Sequence, residues 1–394
     1  LVEINKTIDL FCLMKKIRVS NIVLNSFEND SRVFKISNSL GKRGYLVDLY
    51  AIHKKGLKKQ EKSHNFNINR IHLWSKRIPK NYFLKPFKLK ALLIYFELAI
   101  KFMIRSKKTD FIHCNDVGTL PIGLIYKFFY LGSPKIVYDS HEYQSQVNGI
   151  SKVESRVRSI IEKLIIPFCY KVINVNESIS RIYEELYNVR TEIIFNAPNY
   201  KELKTPPDNY FRSKYEISKN QKIYLYQGGL SPGRGIEKIL FNFNKLKEEG
   251  HNSSVLILLG NGLLEDLVKK NANENELIFY HPYVPMEDLS NYTRLADFGL
   301  LPYENTCLNH YYCLPNKLFE YAMSNVTVVA SKLFELNNFI SKNKIGYLID
   351  NDDNMALYKF ILNSSNKNLK ISNSVFNSFN KKYNWEACEE ILIK

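Results

Sequence analysis

The sequence has little that would cross-link it or hold a metal ion. Its six cysteines stand far apart, at 12, 114, 169, 307, 313 and 388, with no CxxC pair and no Cys/His ligand spacing. That pattern excludes an ordinary zinc site and a dense disulfide framework, and it points to free thiols in a reducing compartment. No secretory signal pattern reads in the sequence, and no apolar run is long enough to cross a bilayer. The longest, Ala91 to Ile104, is interrupted by Glu97 and Lys101. Short internal repeats, low-complexity tracts, a GxxxxGK[ST] loop, a GxGxxG fingerprint and a Gly-x-Ser-x-Gly element are all missing. The expectation is a cytoplasmic globular chain in which residues 1–13, ahead of Met14, form a poorly ordered extension.

Acidic residues are scarce relative to basic ones, 39 against 56, for a net charge of +17. Residues 1–110 hold 24 Lys+Arg against 8 Asp+Glu, a net of +16, so nearly all the excess lies in the first quarter. Such asymmetry suggests an anionic surface as partner. The stretch Lys76 to Lys108 mixes basic residues with Tyr82, Phe83, Phe87, Leu92, Leu93, Tyr95 and Phe96. That mixture fits docking on an anionic membrane, and it equally fits a solvated amphipathic helix with its apolar side in a core. No nucleic-acid-binding motif accompanies it, so no nucleic acid is expected as a partner.

A chain of 394 residues is long enough for two domains. Short apolar runs alternate with helical patterns, which predicts α/β architecture. Ile17–Leu24, Tyr45–Ala51, Phe111–Cys114, Lys135–Tyr138, Val172–Val175 and Glu192–Phe195 read as strands, with helices such as Ser31–Leu40 and Ile179–Tyr187 between them. Asn196-Ala197-Pro198-Asn199 and Pro206-Pro207 then read as a linker. The pattern restarts with strands at Lys222–Tyr226, Ser254–Leu259, Leu277–Tyr280, Phe298–Leu301, Val326–Ala330 and Gly346–Ile349. Two doubly wound domains follow, with the site expected at the carboxyl ends of their strands, in a cleft between them.

Four motifs stand where such a fold places ligands. Tyr226 to Gly235 (YQGGLSPGRG) joins a strand to a helix. Its glycines, the helix N-terminus and Arg234 make a plausible diphosphate site. Leu259-Gly260-Asn261-Gly262 also follows a strand, and reads chiefly as a tight turn. In Cys313-Leu314-Pro315-Asn316-Lys317-Leu318-Phe319-Glu320, Pro315 opens a helix whose first amides, with Lys317, suit phosphate oxygens. Glu320, a turn further on, suits vicinal hydroxyls, or a simple ion pair with Lys317. Val137-Tyr138-Asp139-Ser140-His141-Glu142 ends a strand with a histidine between carboxylates, suited to orienting a substrate or to a structural role. Asp350-Asn351-Asp352-Asp353 contains a DxD, read as a turn rather than a metal site.

In this order the motifs resemble the family-four glycosyltransferases of the GT-B fold, from about Met14 to the end of the chain. Phe27 to Val33 (FENDSRV) is similar to a first-strand loop in that family, Asp139-Ser140-His141-Glu142 to its histidine motif, and Gly228 to Gly235 to its phosphate loop. His281-Pro282-Tyr283-Val284, Leu295-Ala296-Asp297 and Leu301-Pro302 resemble the approach to its donor site. Pro315 to Glu320 resembles its P-x-K-x-x-E variant in bacterial polysaccharide enzymes, and Tyr383-Asn384-Trp385 the start of its last helix. The resemblance implies two facing Rossmann-like domains: an acceptor domain over 14–200, a nucleotide-sugar domain over 210–379, and a helix at 380–394 packing back on the first. It implies metal-independent transfer with retention, from a UDP-sugar by default, to a saccharide acceptor that is lipid-linked, in cell-surface polysaccharide synthesis on the inner face of the plasma membrane. His141, Arg234 and Glu320 would be catalytic. Gly228, Gly229, Arg234, Gly262, Tyr283, Val284, Pro315, Asn316, Lys317 and Glu320 would bind the donor. Asp30, Arg32, Asp116, Glu142 and Tyr312 would lie on the sugar or acceptor side. The chain departs from the pattern at Gly229, where the family carries a second basic residue, and at Tyr312, where it carries a glutamate. An epimerase of the same fold and a non-catalytic partner subunit remain open as alternatives.

Overall fold

The computed structural model describes residues 16–28, 30–77, 89–200, 209–364 and 367–393. Part of the Lys76–Lys108 stretch, the segment around Pro206-Pro207 and the expected extension at 1–13 lie outside them. The chain forms two compact units. The first comprises the described residues up to Ser145, then Ser151–Ile194 and the chain end from Ile391; the second comprises Gln146–Ile150 and Phe195–Glu390. The division thus falls at 194/195 rather than at 200–210. Most of the last two helices, Asn373–Lys382 and Trp385–Ile393, groups with the second unit.

The first unit is built on β1 (Arg18–Ile22), β2 (Leu46–Ile52), β3 (Gln60–Lys62), β4 (Asn67–Ile71), β5 (Phe111–Asn115), β6 (Lys135–Asp139), β7 (Cys169–Asn174) and β8 (Glu192–Ile193). They form one sheet in the order β3-β4-β2-β1-β5-β6-β7-β8. All pairings are parallel except β3 with β4. The strands at 60–62 and 67–71 have no counterpart in the sequence reading. Gln60-Glu61-Lys62 is polar because it forms the sheet's edge, and β4, paired on both sides, breaks its apolar run with Asn67, Asn69 and Arg70. The helices Leu89–Arg105, Leu120–Phe129 and Lys152–Ile165 connect β4 to β5, β5 to β6 and β6 to β7. Successive right-handed crossovers in one direction set them side by side on one face of the sheet. The Phe102 and Tyr126 rings, 5.4 Å apart, join the first two. Trp74, just after β4, is 69 % exposed.

The second unit holds β9 (Lys222–Gln227), β10 (Ser254–Leu259), β11 (Ile278–His281), β12 (Phe298–Leu301), β13 (Thr327–Ser331) and β14 (Gly346–Ile349). Their order is β11-β10-β9-β12-β13-β14, all parallel. β10 is buried at every residue, as a central parallel strand covered on both faces requires. Order reverses between β9 and its neighbours β10 and β12, so the loops leaving β9 and β12 splay apart and open a ligand position beyond their carboxyl ends. Phe195, Phe319, Phe339, Phe379 and Tyr383 form an aromatic cluster in this unit, beside a buried Trp385. The five cysteines among the described residues are free thiols, and no described helix is long and apolar enough to cross a membrane.

Candidate functional site

In the second unit the candidate site grows from the end of β9. Gly228 has φ +112 and donates to Leu259 O (2.9 Å), Leu230 donates to Asn261 O (2.9 Å), and Leu264 donates back to Leu230 O (2.9 Å). Backbone is thus stitched to backbone. A Cβ at Gly260 would stand 2.0 Å from Gly228 O, and one at Gly262 2.3 Å from Leu230 O. Gly262, expected at the donor, is therefore a glycine because a neighbouring loop passes over it. At Gly235 (φ +74) a Cβ would stand 1.9 Å from Pro302 O, which seats the N-terminus of helix Ile236–Glu248 against the β12 loop. Gly229 differs, since a Cβ there would have Ser231 Oγ at 3.9 Å as its only near neighbour. The position left without the second basic residue is open.

Two cations meet above this loop. The Arg234 guanidinium lies over the Tyr303 ring at 4.8 Å and donates to its hydroxyl. Lys317, on helix Asn316–Met323 opened by Pro315, lies 3.9 Å over the Tyr226 ring and 5.6 Å over Tyr303. It is 9 % exposed, and a Cβ on Gly228 would stand 3.4 Å from its Nζ. Among the described residues Lys317 Nζ has no hydrogen-bond or ion-pair partner. Burial, then the charge of Arg234, pulls its pKa down to about 7 against the opposing pull of Glu320. Glu320 accepts from Gln227 Nε2 (2.6 Å), and Gln227 Oε1 accepts from Thr293 Oγ1 (2.8 Å), so the carboxylate is oriented from the strand end. An i, i+3 ion pair between Lys317 and Glu320 is not formed. Two partly desolvated cations beside a glycine loop and a helix N-terminus make an anion-binding arrangement.

The remaining donor-side candidates divide. Asn316 is exposed and accepts from Asn196 Nδ2 (2.7 Å). Val284 is buried, and Tyr283 is 47 % exposed. Tyr312 packs edge-on against Phe334 and Tyr311. The DxD is a turn, with Asp350 Oδ1 accepting from Asp352 N and Asp353 Oδ1 from Met355 N. Among the described residues no group of His, Cys, Asp or Glu could hold a metal ion.

In the first unit, the ends of β5 and β6 bring Asn115, Asp116, Asp139 and His141 together. Arg32 grips Asp139 with two bonds (Nε to Oδ2 2.9 Å, Nη2 to Oδ1 2.6 Å) and donates a third to Ile194 O (2.7 Å). At 2 % exposure Arg32 is spent on this carboxylate. Its guanidinium supports the Asp139 carboxylate from within the unit. Asp30 caps helix Ser31–Lys42, accepting from Val33 N and Asn25 Nδ2. Asp139 is fully buried. Burial would raise its pKa, but Arg32 and then His141 hold it well below the carboxylate range.

The His141 ring has Nε2 at 3.4 Å from Asp139 Oδ2 and 3.2 Å from Asn115 Oδ1, and Nδ1 at 3.6 Å from Asp116 Oδ1. Burial disfavours its charge, yet Asp116 and then Asp139 outweigh that and lift the pKa to about 9. His141 is therefore an imidazolium at neutral pH, held by two carboxylates and one fifth exposed on its side chain. Asp116 has φ +62 and ψ 160, a conformation that costs a non-glycine residue about 1–3 kcal/mol. Its Oδ1 accepts from Gln144 Nε2 (2.6 Å), which fixes it beside the ring. Half-buried Glu142 follows, its carbonyl accepting from Ser140 Oγ (2.7 Å). Ser140 Oγ also lies 2.9 Å from Tyr183 OH, and the hydroxyls of Tyr138, Tyr183 and Tyr187 converge on the buried carboxylate of Glu162. Tyr303 and Glu162 lie in segments that read only as core, and Tyr226 and Gln227, although inside the Tyr226 to Gly235 motif, carry no expected role there.

Residues 208–373 match the family model described as Glycosyl transferases group 1. No curated protein sequence matches the chain. Among solved structures, sucrose-phosphate synthase from Thermosynechococcus elongatus aligns with a TM-score of 0.74 at 17 % identity, over 96 % of this chain and 97 % of that one. HepE from Anabaena in complex with UDP-glucose aligns at 0.71 and 13 %, over 96 % and 98 %. WaaG, a glycosyltransferase involved in lipopolysaccharide biosynthesis, aligns at 0.64 and 13 %, over 94 % and 95 %. The fold is GT-B, and within it residues 208–373 resemble a glycosyl transferase group 1 domain.

Proposed function

We propose that this protein is a retaining glycosyltransferase that moves a sugar from a nucleotide-diphosphate-sugar, by default a UDP-sugar, to a saccharide acceptor. The observation that carries the reading is the pair of partly desolvated cations, Arg234 and Lys317, poised over the β9 glycine loop with Glu320 one turn beyond. The diphosphate takes the cations, the loop amides at Gly228 and Gly229 and the helix opened by Pro315 and Asn316, and the ribose hydroxyls take Glu320. Tyr283 and Val284 border the nucleotide, and Tyr312 stands where donor choice is set. Arg234 and Lys317 stabilise the charge that grows on the leaving diphosphate, so the transfer needs no metal. His141, held charged by Asp116 and Asp139, hydrogen-bonds the transferred sugar, and Glu142 borders the acceptor. The HepE complex with UDP-glucose supports a nucleotide-sugar donor. WaaG supports a lipid-linked acceptor in cell-surface polysaccharide synthesis, and the net +16 of residues 1–110 supports a position on the inner face of an anionic membrane.

A thermal-shift screen across nucleotide-sugars tests the donor. A ligand at 100 times its dissociation constant adds about 2.7 kcal/mol of stability, so one member of the screen raises Tm by several degrees. Glu320→Ala abolishes that shift, whereas His141→Ala keeps it and lowers transfer by about 100-fold or more. Failure of every nucleotide-sugar to bind, or transfer undiminished in both variants with a chelator present, rejects the reading.

A further inference from the structure

Helix Lys152–Ile165 has its amphipathic pattern turned outward. Its inward side carries the buried Glu162, held by tyrosine hydroxyls. Its outward side carries Val153, Val157, Ile160 and Leu164, between 49 % and 73 % exposed. Their spacing of four, three and four residues makes one continuous stripe. The neighbouring helix Leu120–Phe129 packs against it and ends in a turn whose tip is apolar. Phe129 is 66 % and Leu131 95 % exposed. Leu131 (φ +52) and Gly132 (φ +78) are both left-handed, so the chain reverses sharply and Leu131 projects from the bend. Single exposed leucines are ordinary; a periodic stripe beside an apolar tip marks an interaction surface.

The charges around this surface have one sign. Lys152, Arg156 and Lys163 are exposed on the same helix, and Lys127 and Lys135 flank the turn. Of the helix's acidic residues, Glu154 is bonded to Arg158 (2.9 Å) and Glu162 is buried. Two copies of this face packed together would set like charges against each other without compensation. An anionic bilayer supplies the missing countercharge, and it accepts an apolar stripe that lies in its interface plane.

We propose that helix Lys152–Ile165 and the turn at Phe129–Leu131 form a membrane-docking surface, the helix lying flat on an anionic leaflet with Leu131 inserted at the headgroup–acyl boundary. It rests on the membrane reading above but uses residues outside Lys76–Lys108.

The test is co-sedimentation with vesicles of phosphatidylcholine alone and of equimolar phosphatidylcholine and phosphatidylglycerol. The wild type pellets with the anionic vesicles. Phe129→Ser with Leu131→Ser, and separately Val157→Glu with Ile160→Glu, weaken that binding about tenfold or more. Their Tm and their donor-induced shift stay at wild-type values, because the replaced side chains are exposed and belong to the other unit from the donor loop. Undiminished vesicle binding in both variants overturns the proposal. So does light scattering that finds a wild-type dimer made monomeric by Val157→Glu with Ile160→Glu, which assigns the face to a second copy. A protein that pellets with vesicles in this manner yet binds no nucleotide-sugar rejects the transferase reading and leaves the docking surface standing.

Discussion

A lysine 9 % exposed, stacked on one tyrosine and sharing a second with an arginine, holds its proton against both burial and a like charge. Its pKa near 7 in the ligand-free protein lies below the usual lysine value of about 10.4. The negative charge of a diphosphate bound as proposed outweighs both penalties, so the ligand-bound lysine is charged across the neutral range. Donor binding above pH 7 must therefore take up a proton, and affinity must fall as pH rises through 7 and beyond. Calorimetric titration at pH 8 in buffers of different ionisation enthalpy reads this as a buffer-dependent heat. Lys317→Met removes the buffer dependence and weakens binding about 10–100-fold, the range of a lost charge-assisted hydrogen bond. A wild-type heat identical in every buffer contradicts the assignment.

At the scale of elements, the carboxyl ends of β9 and β12 and the glycines after β9 set the loop proposed to hold the donor. Gly229 of that loop and Gly262 of the β10 loop stitched to it respond differently to a methyl group. Gly262→Ala drives a Cβ into the Leu230 carbonyl at φ +153, and costs about 1–3 kcal/mol. Gly229→Ala meets open space and stays within about 0.5 kcal/mol. Denaturant melts of the two variants measure the contrast, and equal losses would refute this account of the loop. The same elements explain what the sequence discloses. The twelve strands read from β-branched and aromatic runs appear within a few residues of their expected ends, because parallel strands buried on both faces leave an unbroken apolar signature. Strands β3 and β4 gave no such signal: β3 is a three-residue polar edge, and β4 beside it mixes Asn67, Asn69 and Arg70 with its two isoleucines. The motifs singled out Arg234, Lys317, Glu320 and His141, and the family resemblance supplied their expected roles. The tyrosines beneath the cations did not stand out, since Tyr226 and Tyr303 read as ordinary strand aromatics until the fold turns their faces toward one point. Arg32 shows the opposite case: its pairing with Asp139 on β6, more than a hundred residues away, could not be read from the local sequence.

Taken whole, the molecule divides its labour by charge, a basic first unit and a nearly neutral remainder, and its optical properties divide along the same line. The chain has two tryptophans, Trp74 in the first unit and Trp385 in the second, one 69 % and the other 3 % exposed. Indole in water emits to the red of indole in a dry core, so the intrinsic fluorescence of the protein is the sum of two spectrally distinct reporters, one for each unit. Chains of two units need not unfold in one step. Replacing Trp74 by Phe leaves a blue emitter that follows the second unit alone, and replacing Trp385 leaves a red one for the first. If the donor binds where Arg234 and Lys317 point, a saturating nucleotide-sugar moves the midpoint seen by Trp385 and leaves that seen by Trp74 in place. A shift confined to Trp74 would put the donor in the other unit.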